Sequence, residues 1–172
     1  MPDRSDASRV NGMELIFRET LRSDIEGLFS VRARTRENPI SKEQLASLGI
    51  TAESIAKQMA SGRMKGWVCL DSSSTLVGFC NGDAETGEVL VLAVLPDYEG
   101  RGIGTHLLSR VVEWLRSVGS HTIWLAGHRT REYERMAFIV PLDGGRMVKL
   151  TKMMTKSSSS SPASRYGAEH RL

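Results

Sequence analysis

Three glycines stand at alternate positions between an apolar run and an amphipathic segment. Gly100, Gly102 and Gly104 follow the run from Val89 to Leu95, which Pro96 closes. The first turn of a helix has backbone N–H groups without intrahelical partners, and the helix dipole adds partial positive charge there. Because glycines let an anion approach the backbone closely, this order of residues indicates a site for a phosphorylated ligand.

The spacing of these glycines fits neither of the two common nucleotide-binding fingerprints. A GxxxxGK[ST] motif is absent, and a GxGxxG motif would require glycine at Leu107. A turn that only packs the helix onto the strand, without a ligand, is the alternative interpretation of the glycines taken by themselves.

One strand and one helix would position this site. The run from Val89 to Leu95 is apolar and rich in β-branched residues, which predicts a central strand buried on both faces. Apolar residues then recur at three- and four-residue intervals from Ile103 to Val118, which predicts a long helix that ends at Gly119.

The segment from Tyr98 to Thr105, YEGRGIGT, resembles motif A of the GCN5-related N-acetyltransferase (GNAT) family, whose pattern is [QR]-x-x-G-x-[GA]. The chain follows the order of the family's elements from Glu14 to Lys152. The resemblance implies acetyl-CoA as co-substrate, without a metal, with its pyrophosphate held mainly by backbone N–H groups. Glu99 stands where the family usually has Gln or Arg, and Arg101 is expected to offset its charge. The implied cofactor-binding residues are Leu92, Ala93, Val94, Glu99, Gly100, Arg101, Gly102, Ile103, Gly104 and Thr105.

Acetyl transfer from a thioester to an amine needs a base for the amine, a donor for the oxyanion and a proton source for the leaving thiolate. By the same resemblance, Glu88 is the base, the backbone N–H of Leu92 is the oxyanion donor and Tyr133 is the proton source. Apolar neighbours favour the base role, since they raise the pKa of a carboxyl group. The alternatives are a solvent-exposed carboxylate for Glu88, directly after the turn residue Gly87, and a packing role for Tyr133.

The segment between the first two predicted strands is the expected acceptor region. Asn38-Pro39 ends a helix, and two short helices follow with Ser41 and Thr51 as their caps. This arrangement resembles the variable region in which GNAT members select their acceptor. The candidate substrate-binding residues are Arg36, Glu37 and Asn38, and a solvated helix end or a purely structural loop is the alternative.

The remaining elements complete an α/β fold with a mixed, mostly antiparallel sheet of six to seven strands and about four helices. By resemblance, the sheet splays between the fourth and fifth strands. A capping box at Ser23 to Glu26 predicts the first helix. A short helix is predicted over Thr130 to Met136. The other predicted strands are Leu15–Phe17, Gly66–Leu70, Leu76–Asn81, Thr122–Leu125, Ala137–Val140 and Arg146–Lys152.

Composition predicts one domain in the 172 residues, of which 40% are hydrophobic. We expect a flexible N-terminus over residues 1–12, an N-acetyltransferase domain over 13–155 and a disordered polar tail over 156–172. The formal charge of +3 is scattered, which argues against a nucleic-acid partner. No apolar segment is long enough to cross a bilayer, so we expect a cytoplasmic protein without a membrane partner. Cys69 and Cys80 lack metal or redox spacing and are expected to be buried thiols.

The sequence therefore predicts an N-acetyltransferase that moves an acetyl group from acetyl-CoA to a primary amine by direct attack in a ternary complex. The expected acceptor is a small-molecule amine or an amino group on a protein. The sequence does not decide between a monomer and a homodimer. The alternative is a non-catalytic acyl-CoA-binding or sensory module with the same fold.

Overall fold

The computed structural model describes residues 6–10, 12–36, 39–128, 135–140 and 148–150. The described residues form eight strands and four α-helices, with 3-10 turns at Arg22–Asp24 and Pro96–Tyr98. The strands are β1 (Asp6–Val10), β2 (Met13–Glu19), β3 (Met64–Leu70), β4 (Leu76–Asp83), β5 (Glu88–Val94), β6 (Ile123–His128), β7 (Arg135–Val140) and β8 (Val148–Leu150). The helices are α1 (Ile25–Ala33), α2 (Lys42–Ser47), α3 (Ala52–Ala60) and α4 (Ile103–Ser117).

The eight strands form one mixed sheet in their chain order, from β1 at one edge to β8 at the other. Neighbouring strands are antiparallel except β5 and β6, which are parallel and pair at Glu88 with Trp124 and at Val89 with Leu125. A parallel neighbour requires a crossover connection, and α4 supplies it.

A β-bulge interrupts the ladder between β4 and β5. Asn81 pairs with Val91 and Gly82 pairs with Val89, so Leu90 is an extra residue in β5. The side chain of Leu90 packs against the cluster formed by the smaller helices, whereas Leu92 and Val94 pack against the main core. The bulged residue therefore contacts the smaller core, while its neighbours Val89 and Val91 contact the main core.

Helix α4 covers one face of the sheet and forms the main core with it. Its buried residues recur at the predicted spacing and are Ile103, Leu107, Val111, Val112 and Leu115. Gly78 and Gly82 of β4 let the helix approach, since a Cβ on Gly82 would lie 2.7 Å from Cγ1 of Val111. The helix ends at Ser117, and Gly119 follows with a φ of 89°. The prediction of this helix is confirmed.

Helices α1, α2 and α3 form a second, smaller core. Its buried residues are Ile25, Phe29, Ile40, Leu45, Ile55, Ala56 and Met64. Both predicted caps are present: the Ser41 hydroxyl accepts the N–H of Gln44 at 3.2 Å, and the Thr51 hydroxyl accepts that of Ser54 at 3.1 Å. Leu90 packs against this core, whereas Val89 and Ala93 belong to the main core, so β5 contacts both layers.

Three sequence predictions differ from the structure. Residues 1–12 include strand β1, which pairs with β2, where a flexible segment was expected. This strand raises the number in the described residues to eight, one above the predicted upper value. Arg135 and Met136 belong to β7 and not to a helix, because they pair with β6. The predicted tail of residues 156–172 lies outside the described residues.

Candidate active site

The loop between β5 and α4 has the backbone conformation that its glycines were expected to permit. A 3-10 turn over Pro96–Tyr98 follows β5, and Gly100 and Gly102 then adopt φ values of 71° and 77°. These values lie in the left-handed region, which glycine adopts without the steric cost that a Cβ imposes. Gly102 directly precedes the first residue of α4 and acts as its N-cap residue.

The N-terminus of α4 is open on its outer side. No side chain in the described part of the chain caps Gly102, and the first turn carries no acidic residue. A Cβ built on Gly100 or Gly102 meets no described atom within 4 Å. The N–H groups of the first turn have no intrahelical partner, and this uncapped helix start is therefore suited to binding an anion.

The second half of β5 lies directly beside this helix start. A Cβ on Gly104 would lie 3.8 Å from Cδ2 of Leu92 and 3.9 Å from Cγ2 of Val94, so the strand and the helix are in van der Waals contact there. Ala93, between them, is 4% exposed. The structure thus brings together the strand and loop residues that sequence analysis assigned to the cofactor.

Tyr98 ties the loop to the turn between β3 and β4. Its hydroxyl donates to Oδ2 of Asp71 at 2.9 Å, while Oδ1 of Asp71 accepts the N–H groups of Ser73 and Thr75, both at 2.9 Å. The bond from Thr75, followed by those from Tyr98 and Ser73, lowers the pKa of Asp71. The hydrogen bond to Asp71 raises the pKa of the Tyr98 phenol. The two residues are 27 positions apart, and the sequence carries no signal for this contact.

Arg36 contacts the loop, at Glu99. The Nε of Arg36 lies 3.1 Å from Oε2 of Glu99. The expectation that Arg101 offsets the Glu99 charge is not met. The Nη2 of Arg101 donates to the backbone O of Asp97 at 3.2 Å, and its Cζ lies 5.9 Å from the centroid of the Tyr98 ring. The loop therefore receives its compensating cation from the segment after α1, which sequence analysis assigned to the acceptor.

Glu88 is enclosed at the first position of β5. The residue is 1% exposed and pairs with Asp83 of β4 and Trp124 of β6. The indole Nε1 of Trp124 donates to the backbone O of Thr86 at 3.2 Å, which closes the turn before the strand. The alternative of a carboxylate exposed to solvent is wrong, because only 1% of the residue is exposed.

Three predicted site residues, Tyr133, Glu37 and Asn38, lie outside the described residues. Within the described ranges, no group of three or more His, Cys, Asp or Glu residues is arranged to hold a metal ion. None of the helices in these ranges combines the length and the apolar composition that a bilayer crossing requires.

A family model gives the first comparison with known proteins. The model described as the acetyltransferase (GNAT) family matches residues 30–138, which include the second half of α1, the open loop and α4. The chain belongs to the GNAT acetyltransferase family. The motif resemblance at Tyr98 to Thr105 is thereby confirmed.

A curated relative and solved structures agree with this GNAT assignment. The uncharacterized N-acetyltransferase YjhQ of Escherichia coli K12 is 43% identical over 47 residues, which are 27% of this chain. The match spans 25% of the length of that relative. The PaiA N-acetyltransferase of Thermoplasma acidophilum, solved with coenzyme A, has a TM-score of 0.54 at 21% identity, over 69% of this chain and 82% of the other. The YhbS N-acetyltransferase of Escherichia coli, solved with CoA, has a TM-score of 0.52 at 18% identity, over 70% of this chain and 66% of the other. At these identities the structures establish the fold.

Proposed function

We propose that this GNAT protein is an acetyl-CoA-dependent N-acetyltransferase that acetylates a primary amine by direct attack in a ternary complex. The observation that carries the proposal is the N-terminus of α4 beside β5, where Gly100 and Gly102 adopt positive φ and lead into a first turn without a side-chain cap or an acidic residue. A pyrophosphate is the anion for which such a helix start is suited. The two structural neighbours described above, PaiA and YhbS, were solved with CoA, which supports the choice of ligand.

The pantetheine arm is proposed to run along β5, beside Leu92, Ala93 and Val94. Strands β5 and β6 pair at Glu88 and Val89, and no further pairing of the described residues extends this ladder. We propose that the two strands splay beyond these positions and that the arm occupies the gap. Its amides would then pair with the backbone of β5 as a neighbouring strand does.

The proposed reaction transfers the acetyl group in one displacement. The neutral amine attacks the thioester carbonyl carbon, and the backbone N–H of Leu92 donates to the oxyanion that forms. The C–S bond then breaks, and the thiolate takes a proton from the Tyr133 hydroxyl. Glu88 receives the proton that the amine loses, through water, since its carboxylate is enclosed. The products are an amide and CoA.

Calorimetric titration with acetyl-CoA and with CoA tests the cofactor site. We expect micromolar binding by the wild type and none by Gly102→Glu, whose carboxylate would occupy the phosphate position. The matched control is Gly119→Glu, at the other end of the same helix. Gly119 also has a positive φ, 89°, and open space around its Cβ position. Equal loss in both variants, or binding by Gly102→Glu, would contradict the assignment.

Release of free CoA thiol with a panel of primary amines tests the chemistry. Glu88→Gln is expected to lower the turnover about 100-fold near neutral pH and to regain rate as the pH rises, because the amine then deprotonates without a base. Tyr133→Phe is expected to lower turnover at all pH values at which the phenol is protonated. Acetyl-CoA affinity unchanged in both variants shows that binding is intact, and unchanged turnover would count against the assigned roles.

A non-catalytic acyl-CoA-binding or sensory module is the second candidate. The enclosure of Glu88 favours it, since an amine has no direct access to a carboxylate that is 1% exposed. The thiol-release assay separates the two candidates. Micromolar acetyl-CoA binding with no turnover for amines or for protein substrates would favour the module.

A further inference from the structure

We propose that Arg36 is a positioning residue of the cofactor loop, whose role is to neutralise Glu99 so that this loop can accept phosphate. The inference rests on the proposed function, because it concerns the same cofactor site. It moves Arg36 from the acceptor region, where the sequence placed it, to the cofactor.

Glu99 occupies a fixed position at the entrance of the loop. Its N–H donates to the backbone O of Pro96 at 3.3 Å, and Tyr98, directly before it, is held by Asp71. Gly100, with its open surroundings, follows directly. The Glu99 carboxylate therefore stands beside the surface that a phosphate would approach, and a like charge there opposes binding.

The nearest anchored residues on either side of Arg36 are Thr35 and Ile40, which bond to the same backbone carbonyl. The Thr35 hydroxyl donates to the backbone O of Arg32 at 3.2 Å, which fixes the turn after α1. On the other side, the N–H of Ile40 donates to the same carbonyl at 3.3 Å, and Ile40 is 2% exposed. The Arg36 guanidinium lies beside Glu99, with its Nε 3.1 Å from Oε2.

The pair lies at the surface, which limits the size of its effect. The side chains of Arg36 and Glu99 are 66% and 41% exposed, so water and salt screen their charges. As a contribution to stability such a pair is small. For a ligand with several negative charges, however, the loss of the cation changes the net charge at the entrance of the loop from zero to negative.

The role is tested by measuring the Kd for CoA calorimetrically at low salt in four proteins: the wild type, Arg36→Gln, Glu99→Gln and the double variant. Arg36→Gln is expected to raise the Kd about three- to tenfold, because it leaves Glu99 uncompensated. Glu99→Gln is expected to lower the Kd or leave it unchanged. The double variant has the same net charge as the wild type at this position, and its Kd is expected to return to within about twofold of the wild-type value. The increase caused by Arg36→Gln is expected to shrink at high salt.

Rescue in the double variant distinguishes neutralisation from direct contact with the cofactor. If the double variant binds as weakly as Arg36→Gln alone, Arg36 contacts the phosphates itself and the proposal is wrong. Equal Kd values for Arg36→Gln and the wild type would also overturn it.

Arg34→Gln is the matched control, because it removes the same charge from an exposed residue two positions earlier. We expect its Kd to stay within about twofold of the wild-type value. A loss equal to that of Arg36→Gln would show a general effect of charge and would contradict the specific role. If the wild type itself does not bind CoA, the proposed function fails together with this inference. If it binds and Arg36→Gln binds equally well, only this inference fails.

Discussion

Arg63 holds a carboxylate that the fold has removed from water. Its Nε and Nη2 donate to Oδ2 of Asp83 at 3.0 and 2.8 Å, and Oδ1 of Asp83 accepts the N–H of Glu85 at 2.8 Å. The side chains of Arg63 and Asp83 are 13% and 1% exposed. Asp83 also pairs across the ladder with Glu88, so this ion pair supports the strand end that carries the proposed base.

Arg63→Ala is expected to lower the free energy of unfolding by about 3 kcal/mol, because it leaves the buried Asp83 carboxylate without a cation. Urea denaturation measures the loss. The control is Lys42→Ala, which breaks the pair between Lys42 and Glu26. Their side chains are 51% and 65% exposed, and the expected loss is under about 1 kcal/mol. A loss in Arg63→Ala no larger than in the control would show that Asp83 gains little from its partner.

The two cysteines are buried, free thiols, as the sequence predicts. Burial, with a smaller contribution from Asp71, raises the pKa of Cys69 to about 12, and burial raises the pKa of Cys80 as well. Because the thiolate is the reactive form, we expect neither thiol of the folded protein to react with a disulfide reagent at about pH 8. Both should react in denaturant. Rapid labelling of the folded protein would contradict their burial, and it would also interfere with the thiol-release assay.

At the scale of elements, the bond between Tyr98 and Asp71 joins the cofactor loop to the turn between β3 and β4. It requires a protonated phenol and an ionised carboxylate. The folded-state pKa of Asp71 is lowered. Its contribution to the stability of the fold is therefore present above the ordinary carboxyl pKa and is lost as the pH falls through the lowered pKa. The folded-state pKa of Tyr98 is raised. Its contribution to the stability of the fold is therefore present below the ordinary phenol pKa and is lost as the pH rises through the raised pKa.

Tyr98→Phe is expected to lower the Tm by about 1–2 °C near neutral pH, since both residues are only half-buried and solvent partly screens the bond between them. The difference from the wild type should disappear as the pH falls through the lowered pKa of Asp71, because the carboxylate then becomes protonated. Thermal unfolding across this range measures it. A difference that stays constant with pH would mean that the hydroxyl acts through packing and not through the carboxylate.

The first residues of the helices show when local sequence is enough to predict a helix N-cap. The caps at Ser41 and Thr51 are as predicted, because each bonds within its own first turn. The capping box predicted at Ser23 is wrong. Helix α1 begins at Ile25, and the Asp24 carboxylate accepts two hydrogen bonds from Arg18 of β2, at 2.7 and 2.9 Å. Asp24 also accepts the N–H of Leu21 at 2.7 Å, and a 3-10 turn over Arg22–Asp24 occupies the predicted start of the helix. The reach of Arg18 from β2 to Asp24 is not contained in any spacing within residues 23–26.

At the scale of the whole molecule, the cofactor is expected to stabilise the fold by mass action. Acetyl-CoA at about 100 times its Kd adds about 2.7 kcal/mol to the free energy of unfolding, which corresponds to a Tm increase of about 5–10 °C for a chain of this size. The increase should be absent in Gly102→Glu and retained in Gly119→Glu. A wild-type Tm that does not change with acetyl-CoA would contradict cofactor binding.

The sequence by itself determined the elements whose signals are local. The apolar run of β5, the glycines of the loop and the spacing in α4 each depend on residues within a few positions, so pattern alone places them and motif A indicates the family. The tertiary structure decided which distant residues meet. It places Arg36 at Glu99, encloses Glu88 between neighbouring strands and joins Tyr98 to Asp71. These contacts depend on how the layers pack and on where long side chains reach. Residues that meet in this way are far apart in the chain, so their contact leaves no periodic pattern or fixed spacing in a single sequence.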